Sequence, residues 1–441
     1  MKPLWDKGKK LDATVLDFTA GQDAILDTQL AYYDAIASCA HVKALAKAGL
    51  LSKPEAKTLV TKLAAIADKA ADGKFAIDAE DCHSAIEQAL GDMGKKVHLG
   101  RSRNDQAATA MRLYLKDMLL DAGSKQALLA DMLQSMALKH KDTPMPGYSH
   151  TRKAMVSSVG HWLGSYAELL SLTVPRLGVI DLSPLGSASG FGTSATVDRT
   201  FEAKLLGFAG VQQNALGCQA GRVMAEAHAC QQMLSIMTVL SQLAADIIFF
   251  SAEGIGYVKI SPDIATGSSL MPNKQNPDVF ELVRAKASSV LGHCTAVQSL
   301  GIGMLSGYNR DYQQAKAHVM QAAAETLASL EILSHAMRHI SIDDDACLKA
   351  CTSDMAATDV AIQLAIKGVP FRDAYRKAVP KEVKPLTKTD ALRLVDARKS
   401  IGATGNPTTM AKNIKTAQDA LLTFSKQLEG CSSWDAEQSK A

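Results

Sequence analysis

Aromatic residues are scarce in this sequence: they make up 5% of its 441 residues, although hydrophobic residues make up 47%. The core must therefore be filled largely by alanine, leucine and methionine, and methionine alone occurs 17 times. Such a composition favours long packed helices over a sandwich of β-branched and aromatic strands. The length allows roughly two to four domains and a large core.

Paired cysteines are also missing. The eight cysteines are scattered without a CxxC motif. Cys347 and Cys351 could share a helix face, but no cluster of histidine and cysteine accompanies them. We therefore expect free thiols in a reducing compartment and no metal site.

A strong charge of one sign is absent, because the formal net charge is only +3. This balance gives no reason to expect a nucleic-acid or membrane partner. Residues 1–10 are charged and contain no apolar signal core. The most apolar run, residues 233–250, includes Ser235, Gln242 and Asp246, which favours a buried bundle helix over a membrane span. We expect a soluble, cytoplasmic protein.

A phosphate-binding loop is lacking as well. Residues 184–192 form a glycine-rich stretch, but it has no Lys-Ser or Lys-Thr pair and does not follow a clear strand. Without those features, backbone amides and an ammonium group would not surround a phosphate. The sequence therefore argues against nucleotide binding.

Long helical patterns dominate the middle of the chain, and no strand-like alternation interrupts them. They cover residues 107–140, 163–172, 220–250, 278–300 and 313–340, which predicts a bundle of five long helices. Ser52, followed by Pro54 and Glu55, predicts an earlier helix start. The expected fold class is all-α in three domains: 1–100 with short helices, 101–346 with the bundle, and 347–441 with a small helical domain and a fraying polar tail.

Two polar loops carry candidate chemistry. Residues 267–278 read Gly-Ser-Ser-Leu-Met-Pro-Asn-Lys-Gln-Asn-Pro-Asp, and we expect Asn276 to cap a helix that Pro277 opens. Hydroxyl, ammonium and amide groups beside a helix N-terminus favour developing negative charge. Residues 100–106 read Gly-Arg-Ser-Arg-Asn-Asp-Gln, and their two guanidinium groups could clamp a carboxylate. A capped helix start and a solvated turn are the plain alternatives for these two loops.

Six strings stand in the order found in argininosuccinate lyases of the fumarase/aspartase superfamily, and the chain resembles that family from about residue 18 to about residue 376. The strings are residues 80–83, 100–106, 146–150, 184–192, 267–278 and 367–372. The resemblance implies a reversible elimination that releases fumarate, and arginine where argininosuccinate is the substrate. It also implies a homotetramer with a twenty-helix core and active sites built from three subunits. We expect no metal or organic cofactor, because the elimination needs none and the sequence shows no ligand cluster.

The resemblance assigns catalytic roles residue by residue. Ser268 matches the family's base, and a hydroxyl can serve only if nearby positive charge and amide donors lower its pKa. Lys274 and Asn276 match the groups that hold the doubly charged intermediate. His150 matches a proton relay or acid, and Glu281 matches its carboxylate partner.

Substrate contacts are implied in the same way, for the carboxylates of the substrate and for its arginine half. The matching positions are Asp27, His83, Ser102, Arg103, Asn104, Ser149, Arg222, Tyr308, Gln313 and Lys316. From the local sequence alone, Tyr308 and Gln313 could equally belong to an ordinary turn between helices.

Two departures from the family pattern keep other readings open. Arg152 stands where the family has glutamine, two residues after His150, and Ala315 stands where it usually has an acid. A related carbon–nitrogen lyase for another N-substituted aspartate is therefore an alternative. A non-catalytic structural homologue is a second, although packing alone does not require Ser268 and Lys274.

Overall fold

The computed structural model describes residues 12–406 and 413–434. Residues 1–10, for which we predict no signal core, lie outside the described residues. The end of the C-terminal tail, residues 435–441, for which we predict fraying, lies outside them as well. Six α-helices lie within residues 12–100: α1 Ala13–Ala20, α2 Asp23–Leu26, α3 Ala31–Lys47, α4 Lys53–Ala71, α5 Cys82–Leu90 and α6 Gly94–Val97.

The predicted bundle is present. Its helices are α7 Arg103–Lys139, α8 Val159–Leu172, α11 Arg222–Ser251, α12 Asp278–Leu300 and α13 Ala315–Ala336. Two short helices, α9 Arg199–Leu205 and α10 Ala215–Ala220, lie between the second and third of these. All five predicted long segments are thus helical, and α12 has the predicted bounds.

The helix α11 lies at the centre of this bundle, in contact with α7, α12 and α13. Among the described helices it is the one long and apolar enough to cross a membrane, but half of its most apolar stretch is buried within the fold. Met233, Leu240 and Ile247 on α11 are buried in the core. A helix packed in this way is a core helix of the bundle.

The last part of the chain contains α14 Asp344–Lys349, α15 Ala357–Ile366, α16 Phe371–Lys377, α17 Lys388–Asp396 and α18 Asn413–Ser432. A second small core gathers Cys351, Met355, Ala391 and Val395 around Val156. By contrast, α18 crosses back and packs on α7 and α3. The division into three domains remains a prediction.

Short strands, which the sequence did not predict, form four two-stranded ribbons within the described residues. The strands are β1 Pro144–Ser149, β2 Arg152–Ser158, β3 Leu182–Ser183, β4 Gly210–Val211, β5 Val258–Ile260, β6 Thr266–Gly267, β7 Gln275–Asn276 and β8 Ile340–Ile342. The pairs β1–β2, β5–β8 and β6–β7 are antiparallel, and β3–β4 is parallel. The expectation of a mostly helical fold is confirmed, with these ribbons added at the ends of the bundle helices.

Of the two helix caps predicted from the sequence, the structure contains one and lacks the other. Ser52 caps α4 together with Glu55, as predicted. The predicted cap at Asn276 is wrong, because this residue pairs with Thr266 in the β6–β7 ribbon and Pro277 takes the cap position instead. The ribbon closes the loop before the helix begins.

Candidate active site

A cavity of about 290 Å³ lies between the N-terminal helices and the bundle. Its wall is formed by residues from the start of the chain, the beginning of α7, the beginning of α11 and the turn before α13. Eight of the ten predicted substrate contacts line it: Asp27, His83, Arg103, Asn104, Arg222, Tyr308, Gln313 and Lys316. The fold thus brings together residues that are almost 300 positions apart in sequence.

The N-terminus of α7 supplies two of these contacts. Ser102 caps the helix, since its hydroxyl accepts a hydrogen bond from the amide of Asn104 at 3.2 Å. Its hydroxyl is therefore used within the turn, and Ser102 does not line the cavity. Arg103 leaves the same turn and forms ion pairs with Glu80 at 3.4 Å and Asp81 at 3.2 Å.

The ammonium of Lys316 lines the same cavity. It forms ion pairs with Asp23 at 2.8 Å and with Asp27 at 2.5 Å. Burial acts to lower the pKa of Lys316, but the carboxylates of Asp27 and Asp23 raise it above its ordinary value. Burial also raises the pKa of Asp23. Gln313 donates to Asp23 as well, so these four side chains form one network.

A second network lies behind the cavity. His83 pairs with Asp34 at 2.9 Å, and Gln106 donates to the same carboxylate at 2.9 Å. Burial acts to lower the pKa of His83, but the carboxylates led by Asp34 raise it. Asp34, Cys82 and His83 place potential metal-binding atoms within 4.8 Å of one another. Burial keeps the pKa of the Cys82 thiol well above its usual range.

The start of α11 contributes a stacked guanidinium. The guanidinium of Arg222 lies 5.2 Å from the ring centre of Tyr308, close enough for a cation–π contact. One helical turn later, Glu226 also lines the cavity. The sequence reading missed Glu226, together with Asp23, Glu80 and Arg310 on the same wall. The spacing of four residues between Arg222 and Glu226, ahead of the apolar run, was the available signal, because it places both on one helix face.

The stretch from 268 to 274 forms an exposed flap, closed at its root by the β6–β7 ribbon. Within it, the hydroxyl of Ser268 accepts hydrogen bonds from the amides of Leu270 at 3.3 Å and Met271 at 3.0 Å. Leu270 is 84% exposed. Lys274 is exposed, and Asn276 and Glu281 lie beyond the flap at the root and in the first turn of α12.

The predicted histidine loop is the tip of the β1–β2 hairpin. His150 and Thr151 have φ values of 53° and 58°, which fits a two-residue turn of the type that joins antiparallel strands. Ser149 and Arg152 pair directly below the tip, and all four residues are exposed. Tyr148 anchors the hairpin, since its hydroxyl lies 2.8 Å from that of Tyr257.

None of the predicted catalytic residues lines the cavity in the described part of this chain, and neither does Ser149. Ser268, Lys274, Asn276 and Glu281 belong to the flap and the start of α12, and His150 belongs to the hairpin. The structure of one chain therefore gathers most of the predicted binding residues but does not bring the predicted catalytic residues to them.

Comparison with known proteins gives a matching family and sequence relatives. Residues 9–292 match a family described as Lyase. An argininosuccinate lyase of Sorangium cellulosum is 42% identical over 413 residues, covering 91% of this chain and 96% of the relative. One from Stenotrophomonas maltophilia is 39% identical over 386 residues, covering 85% of this chain and 89% of the relative.

Solved structures share the fold at lower sequence identity. A variant of EDDS lyase with bound fumarate superimposes with a TM-score of 0.76 at 22% identity, covering 98% of this chain and 96% of that one. A class II fumarase from Schistosoma mansoni gives a TM-score of 0.68 at 16% identity, covering 86% and 93%. The chain is therefore a carbon–nitrogen lyase, and it belongs to the argininosuccinate lyase family of the fumarase/aspartase superfamily.

Proposed function

We propose that this protein catalyses the reversible elimination of argininosuccinate to arginine and fumarate, a step of arginine biosynthesis. The observation that carries the proposal is the meeting of eight predicted substrate contacts in one cavity. That cavity contains Arg103, Arg222 and Lys316 for carboxylates, and acidic groups for a cationic half. The names of relatives at about 40% identity support the same substrate.

In the proposed reaction, Ser268 removes the proton from the carbon β to the substrate nitrogen. The electron pair moves onto the adjacent carboxylate, and Lys274 and Asn276 hold the charge that develops there. The carbon–nitrogen bond then breaks, fumarate forms, and the leaving nitrogen receives a proton by way of His150, which Glu281 orients. The two amides that already donate to the Ser268 hydroxyl would also stabilise its deprotonated form.

The separation of cavity and flap supports a site shared between subunits. We propose a homotetramer in which the flap and the hairpin of neighbouring copies close over the cavity, and four five-helix bundles form a twenty-helix core. Large exposed apolar side chains on the bundle support such burial, and they include Met224, Leu282 and Leu291. We propose that the enzyme works in the cytoplasm without metal or organic cofactor.

Another N-substituted aspartate is the second candidate substrate. Arg152 is exposed two residues from His150 and offers an additional guanidinium for a carboxylate. Ala315, the other departure from the family pattern, is buried and does not line the cavity, so it gives this candidate no support.

The test is fumarate release, followed by its ultraviolet absorbance, from a panel of N-succinyl compounds, with Arg152→Gln measured in parallel. Argininosuccinate should be the best substrate of the wild-type protein. Turnover of a non-guanidino compound alone would transfer the proposal to the second candidate. A folded tetramer without activity on any compound would instead indicate a structural homologue.

A variant and its control test the base. Ser268→Ala should abolish turnover and leave thermal unfolding unchanged, since the hydroxyl bonds only within the exposed flap. Ser261→Ala, which removes a hydroxyl from the segment before the flap, should keep full activity. Mixed tetramers of Ser268→Ala and Arg103→Ala chains should regain activity if different subunits supply flap and cavity. Near-normal turnover by Ser268→Ala would remove the assignment.

A further inference from the structure

Glu226 is a buried acid on the cavity wall whose carboxyl is incompletely bonded. The residue is 6% exposed and lines the cavity one turn after Arg222 on α11. Its Oε2 atom is fully buried and has no hydrogen-bond partner among the described residues. A buried oxygen in this state is costly unless a donor reaches it.

The other acids of the same wall are already bound by protein donors. Lys316 forms ion pairs with two of them, and Arg103 forms ion pairs with the other two. These four acids are Asp23, Asp27, Glu80 and Asp81. Within the described part of the cavity, Glu226 is thus the acid with an unoccupied acceptor oxygen.

Burial and two nearby arginines have opposite effects on the ionisation of Glu226. Burial raises its pKa, while the guanidinium groups of Arg222 and Arg112 act in the opposite direction. Neither guanidinium group donates a hydrogen bond to Glu226: Arg222 stacks on Tyr308 and its buried Nε has no partner among the described residues, and Arg112 donates to Gln212 at 2.7 Å. The two arginines therefore favour the ionised carboxyl through the field they create, and an N–H donor from a ligand would complete its bonding.

We propose that Glu226 accepts a hydrogen bond from a cationic N–H group of the substrate's leaving half and so determines specificity for cationic leaving groups. This inference rests on the proposed function. In arginine the group could be the α-ammonium or the guanidinium, which share the chemistry of a charged N–H donor.

The experiment compares wild-type protein with Glu226→Gln, which keeps the shape of the side chain and removes its charge. Inhibition constants are measured for arginine, Nα-acetylarginine, citrulline and fumarate against succinyl-substrate cleavage. For arginine we expect weakening of roughly 30-fold, as for the loss of one partner of a buried charge pair. Fumarate carries no cation, so its inhibition constant should not change.

The two analogues identify the group. If the ammonium is the partner, Glu226→Gln should weaken citrulline but not Nα-acetylarginine; if the guanidinium is the partner, the reverse should hold. Glu226→Asp, which keeps the charge, should recover part of the arginine affinity. Glu253→Gln is the matched control, because it makes the same chemical change at an exposed position after α11.

Equal weakening of all four inhibitors, fumarate included, would indicate a packing role and overturn the inference, as would unchanged binding of arginine. Thermal unfolding of each variant shows whether the fold is intact. Cleavage of argininosuccinate by the wild-type protein decides the proposed function separately. If that cleavage is missing, arginine binding to wild-type and Glu226→Gln protein by calorimetry still tests the acidic contact.

Discussion

Substitution of Asp105 by asparagine should loosen the cavity from behind. Asp105 is fully buried in the first turn of α7. One carboxylate oxygen accepts from the amide of Ser102 at 2.9 Å, and the other accepts from the amides of Gly186 at 2.9 Å and Ala188 at 2.8 Å. A single side chain thus ties the turn that carries Arg103 to the glycine-rich loop, where Ala188 has a φ of 52°.

The size of the effect follows from these three bonds. An amide has one acceptor oxygen, so its NH₂ group must face at least one backbone N–H. The less costly orientation of the asparagine side chain keeps the hydrogen bonds from the Gly186 and Ala188 amides and loses the one from Ser102. The penalty is about 3 kcal/mol, because a hydrogen bond to a charged acceptor is lost and a buried donor is left unsatisfied. Burial raises the pKa of Asp105 against the lowering effect of the Ser102 and Ala188 amides. Neutral asparagine avoids that desolvation, so we expect a net loss of about 2–3 kcal/mol.

The assay combines thermal unfolding with the kinetics of fumarate release. Asp105→Asn should lower the unfolding temperature and raise KM, because Arg103 and Asn104 leave the same turn. Asp390→Asn is the matched control: Asp390 also occupies the third position of a helix, α17, but its side chain is half-exposed, bonds to Thr387 and forms an ion pair with Arg393 at 3.6 Å. If Asp105→Asn unfolds like this control and binds substrate with an unchanged KM, the positioning role is refuted.

Two further outcomes are expected. Lys316→Met should destabilise the protein by about 3–5 kcal/mol at neutral pH, since it leaves the carboxylates of Asp23 and Asp27 uncompensated. Thermal unfolding measured against pH should show this loss of stability shrinking as acid protonates Asp23, whose pKa is raised by burial. A loss of stability that does not change with pH would contradict the ion-pair explanation. Cys347 and Cys351 should resist thiol reagents at pH 8 in native protein and react after unfolding, because burial raises their pKa values to about 12 and about 11; rapid labelling of the folded protein would contradict this.

The helices were predictable because their information is local. An apolar pattern with helical period extends through each bundle segment, and α12 begins at Asp278 where the polar loop ends. The β1–β2 hairpin was not predictable in the same way. Its strands contain Pro144 and Pro146 and little alternation, and the ribbon is held by a distant contact, the edge of the Tyr148 ring against Phe249. Tertiary packing decided this segment, as it often does for short strands.

The residues of the cavity show the same difference between local and tertiary information. Arg103 and Lys316 could be named from motifs, but their partners could not, because Glu80 and Asp23 approach them only through the fold. The failed cap at Asn276 has the same origin. An asparagine before a proline favours capping locally, but backbone pairing with Thr266, ten residues earlier, took the residue into a ribbon.

The exposed apolar side chains of the flap support the proposed assembly of several chains. Leu270 is 84% exposed and Met271 is 45% exposed, at the tip of a loop that otherwise carries polar side chains. Burying one such side chain would contribute about 1.5–3 kcal/mol, so closure against an apolar wall is favourable once a wall is present. Closure would also expel water from around Ser268, which strengthens its interaction with nearby positive charge. In the proposed tetramer, the motion that buries the flap would therefore also prepare the proposed base, Ser268.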